Sequence, residues 1–142
     1  MLELQDQQEF LGGDEMNEPE IEEFAKLVIE NIRDAAIRNC DAMLSPISAA
    51  PVAKRWRSSG ASGKAIGVVI PDAVDEVVFC LLQAIDQGLL QMKFVSSGGK
   101  EINLSEDGLG ELSGWFMGSG GWRKVYSKER FVDDFSDLGS TP

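Results

Sequence analysis

Histidine is missing from this 142-residue sequence. Its absence removes Ser-His-Asp and Cys-His catalysis, imidazole acid–base chemistry and every histidine-containing metal site. It also removes the side chain that most readily changes charge near neutral pH. Cysteine is scarce: Cys40 and Cys80 are the only two, they match no metal-ligand spacing, and each lies among apolar residues of a helical pattern. Two buried, reduced thiols in a cytoplasmic protein are expected. No apolar run approaches the roughly 18 residues that span a bilayer. Met1-Leu2-Glu3-Leu4-Gln5-Asp6 lacks the basic and apolar regions of a signal peptide. No membrane partner is therefore expected.

Positive charge is in short supply at both ends. The chain holds 24 acids against 13 bases, for a net charge of −11. Residues 1–30 contain ten of the acids and a single base, Lys26, while residues 31–132 are close to neutral. This balance argues against nucleic acid or an anionic membrane surface as the partner.

What is present suits one globular domain. The length and the 43% hydrophobic content allow a core without disulfide or metal staples. Residues 1–16 read as a flexible acidic tail broken by Gly12-Gly13, residues 17–138 as the domain, and residues 139–142 as a flexible end. Asn17-Glu18-Pro19-Glu20 has the cap, first-turn proline and third-position acid of a helix start. Ile21, Phe24, Leu27, Val28, Ile32 and Ala35 then recur at helical spacing, to about residue 40 or 44. Pro51 opens a short helix, and Ser58–Gly63 is a loop.

Ala65–Ile70 reads as a strand closed by Pro71, because a residue before proline favours extended geometry. Asp72 then caps a central buried helix over 73–87, with Asp75 and Glu76 as first-turn acids and Gly88 as its stop. Residues 90–95 and 101–104 alternate around Ser96-Ser97-Gly98-Gly99, which predicts a hairpin. Beyond it, Leu109, Leu112, Trp115 and Phe116 suggest a helix after a Ser105 cap, while Gly108, Gly110 and Gly114 weaken it and leave a strand as the alternative across the Gly-rich 108–121 region. Trp122–Tyr126 reads as a strand, and Ser127 as the cap of a final helix carrying Phe131 and Phe135. The fold class is α+β: a long N-terminal helix and a central buried helix on a small, mainly antiparallel sheet.

Several patterns approach known chemistry and stop short of it. Ser62-Gly63-Lys64-Ala65 ends like a phosphate-binding loop. However, Ser58 stands where the first glycine belongs, Ala65 replaces the magnesium-binding hydroxyl, and the segment precedes an expected strand. Gly108-Leu109-Gly110 with Gly114 places its third glycine one residue late for a dinucleotide fingerprint. Ser97-Gly98-Gly99-Lys100 satisfies Ser-x-x-Lys, yet a glycine turn cannot stack the lysine beneath the serine. Pro71-Asp72 and Lys93 have the composition of a metal-dependent nuclease signature, but an expected helix separates the acid from the lysine. Glu106, Asp107 and Glu111, like Asp133, Asp134 and Asp137, lack calcium-loop spacing and read as solvated acids near helix starts. No catalytic residue, metal or cofactor is assigned.

Two clusters interleave bases with aromatics. One is Lys54-Arg55-Trp56-Arg57; the other is Trp122-Arg123-Lys124 with Tyr126, Lys128 and Arg130. Arginine and tryptophan are enriched at interface hot spots, so Arg55, Trp56, Arg57, Trp122, Arg123, Lys124 and Tyr126 are the candidate partner-binding residues. The expected function is a non-catalytic protein-binding module, inhibitor- or immunity-like or an assembly factor. Self-association, through an exposed part of the apolar face of the helix 18–40, is a separate reading. The alternative is a small hydrolase using carboxylates or an oxygen-ligated divalent metal, with Asp72, Glu106 and Glu111 as the residues to test.

Overall fold

The computed structural model describes residues 18–134. The expected tail 1–16, the Asn17 cap, Phe135 and the end 139–142 lie outside them. The first helix, α1, covers residues 18–43, with Pro19 in its first turn. It is α-helical except over Val28–Arg33, which is π-helical and continuous with the turns on either side. The wider turn inserts one residue into the helical repeat. The buried pair Val28 and Ile29 is therefore followed five positions later by the buried pair Arg33 and Asp34. A regular helix would carry Ile32 inward from Val28; here Ile32 is 50% exposed and Arg33 is 0% exposed.

Helix α2, Pro51–Ser58, is entered at Pro51 as the sequence suggests. Helix α3 runs over Gly63–Asp86 and corrects two expectations. Ala65–Ile70 is helical, not a strand, and the cap is Ser62, whose Oγ accepts from Ala65 N at 3.0 Å, not Asp72. Pro71 lies inside the helix. A proline there forfeits the bond to the carbonyl four residues back and costs about 3 kcal/mol. The carbonyl concerned, Gly67 O, accepts instead from Arg130 Nη2 at 2.8 Å. Burial of Ile70, Asp75, Val78, Leu82 and Ile85 on one side of the helix completes the case for continuing through the proline.

Helices α1 and α3 run antiparallel. Leu44 lies beside Gly67 at one end, Arg33 meets Asp75 in the middle, and Ala25, Val28 and Ile29 share a core with Val78, Leu82 and Ile85 at the other. Gly88, at φ 73°, stops α3 in the left-handed conformation that favours glycine. Strands β1, Lys93–Val95, and β2, Glu101–Asn103, pair antiparallel with Phe94 opposite Ile102, as the alternation predicts. Ile102 is buried in the helical core, and Phe94 packs edge-on to Phe24 at 5.6 Å. The fold is α+β, with a long N-terminal helix and a two-stranded sheet.

Three short helices follow: α4, Leu104–Asp107; α5, Leu112–Met117; and α6, Trp122–Tyr126. Asn103, not Ser105, caps α4, its Oδ1 accepting from Ser105 N at 3.0 Å. The helix expected from Leu109 is interrupted because Leu109 and Gly110 are left-handed, at φ 57° and 70°. Helix α5 then starts on Asp86 of α3, whose carboxylate accepts from Leu112 N and Ser113 N at 2.9 Å each. Trp122–Tyr126 is helical, not a strand. It begins at Gly121, where a Cβ would run into the Trp115 carbonyl, and that close approach lets Trp122 reach the core. No helix starts at Ser127; residues 127–133 form an irregular segment laid across α1 and α3.

Candidate functional site

The position of α3 is fixed from its inner side. Asp75, 4% exposed, accepts from Arg33 Nε and Nη2 and from Arg123 Nη1, the last at 2.9 Å. Arg33 uses all five of its donors. Besides Asp75 they reach Asp34 Oδ1, Ser127 Oγ and the Arg130 carbonyl, each at 2.9 Å. Asp34 also accepts from Ser127 Oγ and Lys128 N, at 2.8 Å each. Arg123 donates to Met117 O at 3.2 Å and stacks its guanidinium over Phe131 at 4.9 Å and Phe116 at 5.7 Å. Two arginines and two aspartates thus form a neutral buried quartet. A group of this kind resists being broken far more than it adds over apolar packing.

One clamp lies at the open end of the α1–α3 pair. Arg130 makes a two-point bond to Asp41, at 2.7 and 2.8 Å, while serving Gly67 O. The hydrogen bond to that guanidinium, with its positive charge, holds the Asp41 carboxyl below its ordinary range. Beside it lies a shallow groove of about 360 Å³, floored by Val68, Pro71, Phe131 and Val132, with Lys64 and Asp72 at its edge.

The outward face of α3 is different in kind. Ala65, Val69, Ala73, Val77 and Leu81 follow one another at intervals of four, and all are exposed, with Val69 at 59% and Val77 at 70%. This is a ridge of apolar side chains about one helical turn apart. Asp72, Glu76 and Cys80 are exposed beside it. The buried-thiol expectation fails for Cys80, because that position turns away from the core, and Cys40 is only partly buried. The Cys80 Sγ donates to Glu76 Oε1 at 3.6 Å. Desolvation by its neighbours raises the thiol pKa, and the Glu76 charge and hydrogen bond raise it further.

The seven residues singled out in the sequence separate. Trp122 and Arg123 are buried, the first in the apolar core and the second in the quartet. Tyr126 is half-buried against that core, and Lys124 is exposed. On α2, Arg55 is exposed and Trp56 half-buried, while Arg57 donates to the carbonyls of Ser45 and Ser48 at 3.2 and 2.7 Å and so fixes the loop before α2. The two clusters are not brought together: α2 packs on the end of α1, whereas α6 packs on α5 and the π-helical turn. Sequence reasoning misses the ridge because its residues fall across the expected strand and the expected helix.

The carboxylates considered for hydrolysis also separate. Asp72 lies on α3, Glu106 on α4 and exposed Glu111 just before α5. Asp107 Oδ2 accepts from Asn103 N at 2.8 Å within the α4 cap. Among the described residues there is no group of three or more His, Cys, Asp or Glu side chains placed to hold a metal ion. Nor is any described helix long and apolar enough to cross a membrane. Comparisons with family models, curated proteins and solved structures find no match to this chain.

Proposed function

We propose that this protein is a non-catalytic protein-binding module whose docking surface is the outward face of α3. The supporting observation is the exposed ridge of Ala65, Val69, Ala73, Val77 and Leu81 on a helix held rigidly from behind. Single exposed apolar residues are ordinary, but a continuous row of them on one element is a feature of interaction sites. A helix face is also a well-used mode of recognition, read out at intervals of three and four residues. On this reading the surface excludes Trp122 and Arg123, and the bases of α2 belong to a separate region.

The test compares native-lysate purification with the wild-type chain and with the Val69→Glu, Val77→Glu double variant. A protein retained by the first and lost from the second is expected, with circular dichroism and thermal midpoint unchanged in the variant. Identical recoveries, or recovery of the bait alone, would reject this surface.

A further inference from the structure

The ridge on α3 carries information about what covers it, and the inference that follows rests on the docking surface proposed above. We infer that the occupant is an amphipathic helix of another protein, with lysine or arginine flanking its apolar stripe.

Shape is the first argument. Ala65 and Ala73 alternate with Val69 and Val77 along one row of α3. Such a row presents low points between branched side chains. The rows of a second helix settle into such spaces at interaxial distances of about 8–10 Å. Each step of four residues also turns about 40° around the axis, so the side shared by Val69, Ala73 and Val77 is the flat part of the row, roughly 12 Å at about 1.5 Å per residue, which two to three turns of a partner helix cover.

Charge is the second argument, and it decides between occupants. No lysine or arginine occurs from Ala65 to Met92. Beside the ridge stand the exposed acids Asp72 and Glu76, with Lys64 next to Ala65 at its start and Arg130 sharing the groove at Asp72. The other acids of α3 are already engaged: Asp75 by Arg33 and Arg123, and Asp86 by the start of α5. A second copy of this chain would bring another Asp72 and Glu76 to the same interface. Residues 1–17 of the same chain carry five acids and no base, so they too would meet like charge. A basic-flanked helix meets complementary charge at Asp72 and Glu76, in the middle of the row, and like-charge juxtaposition there disfavours the other two.

The experiment is an amide chemical-shift titration of the full chain, with two synthetic helical peptides that share a leucine stripe. One has lysine flanks and the other glutamate flanks. The lysine peptide is expected to shift amides of residues 65–81 and to weaken at least tenfold on Asp72→Lys, Glu76→Lys. That double variant should bind the glutamate peptide in its place. Equal binding of both peptides at 65–81 would overturn the charge inference and leave the docking surface standing. Lysine-peptide shifts confined to the acidic start of α1, or none in α3, would overturn both. Sedimentation showing a dimer, with α3 amides shifting on dilution in the absence of peptide, would assign the face to a second copy and overturn the inference.

Discussion

At the scale of single residues, Asp75 matters most. It faces two buried guanidiniums, so removing its charge leaves two cations against Asp34 alone. Asp75→Asn is expected to cost about 3–5 kcal/mol, the range for stripping one partner from a buried ion pair. Urea unfolding would read this as a lower midpoint with an unchanged slope, and a loss below about 1 kcal/mol would show that water already reaches the quartet. Cys80 offers a second check. Desolvation and Glu76 hold its pKa above the ordinary thiol value, so less thiolate is present at any pH near 8. Glu76→Gln removes the two causes that depend on that carboxylate. Alkylation of Cys80 at pH 8 should then speed up in a Cys40→Ala background; an unchanged rate would mean that desolvation alone sets the shift. None of this chemistry is legible locally. Asp75 reads only as a first-turn acid, and its partners are 42 and 48 positions away.

At the scale of elements, periodicity finds α1, α2 and the hairpin, because each is specified by neighbours within a few residues. It fails where a distant side chain changes the local balance. Val68, Val69 and Ile70 before Pro71 are a fair strand by composition, and the deciding partner, Arg130, is 63 positions on. Pro71→Ala restores the N–H that Gly67 O lacks, so Arg130→Ala should cost less in that background than in the wild type. A double-mutant cycle is expected to give a coupling of about 0.5–1.5 kcal/mol. Strict additivity in thermal or urea unfolding would show that water, not Arg130, satisfies the carbonyl. The final third resists reading for a related reason. Helix α5 is started by Asp86 from another helix, and α6 by a close approach at Gly121. The π-helical turn of α1 is likewise invisible to a fixed 3.6-residue wheel, which places Ile32 where Arg33 belongs.

At the scale of the whole molecule, α+β architecture is readable from composition and pattern, whereas the candidate face is not, because it exists only once residues 63–86 are one helix. The residues that complete the quartet sit late in the chain. Arg33, Asp34 and Asp75 lie in the first 75 residues, while Arg123, Ser127, the Lys128 amide and the Arg130 carbonyl come after residue 122. During synthesis the helical pair therefore emerges from the ribosome with ionic groups that have no complete set of partners, and closing them away from water is costly until the last set arrives. Assembly of the native interior should wait for translation to pass Val132, which leaves the apolar ridge and the core exposed together to chaperones in the interim. A chain stopped after Tyr126, which keeps all three tryptophans and Arg123 but loses Ser127, the Lys128 amide and the Arg130 carbonyl, is expected to keep helical far-ultraviolet dichroism but to lack the near-ultraviolet signal of fixed tryptophans. A native near-ultraviolet spectrum from that fragment would show that the late residues are dispensable for closure.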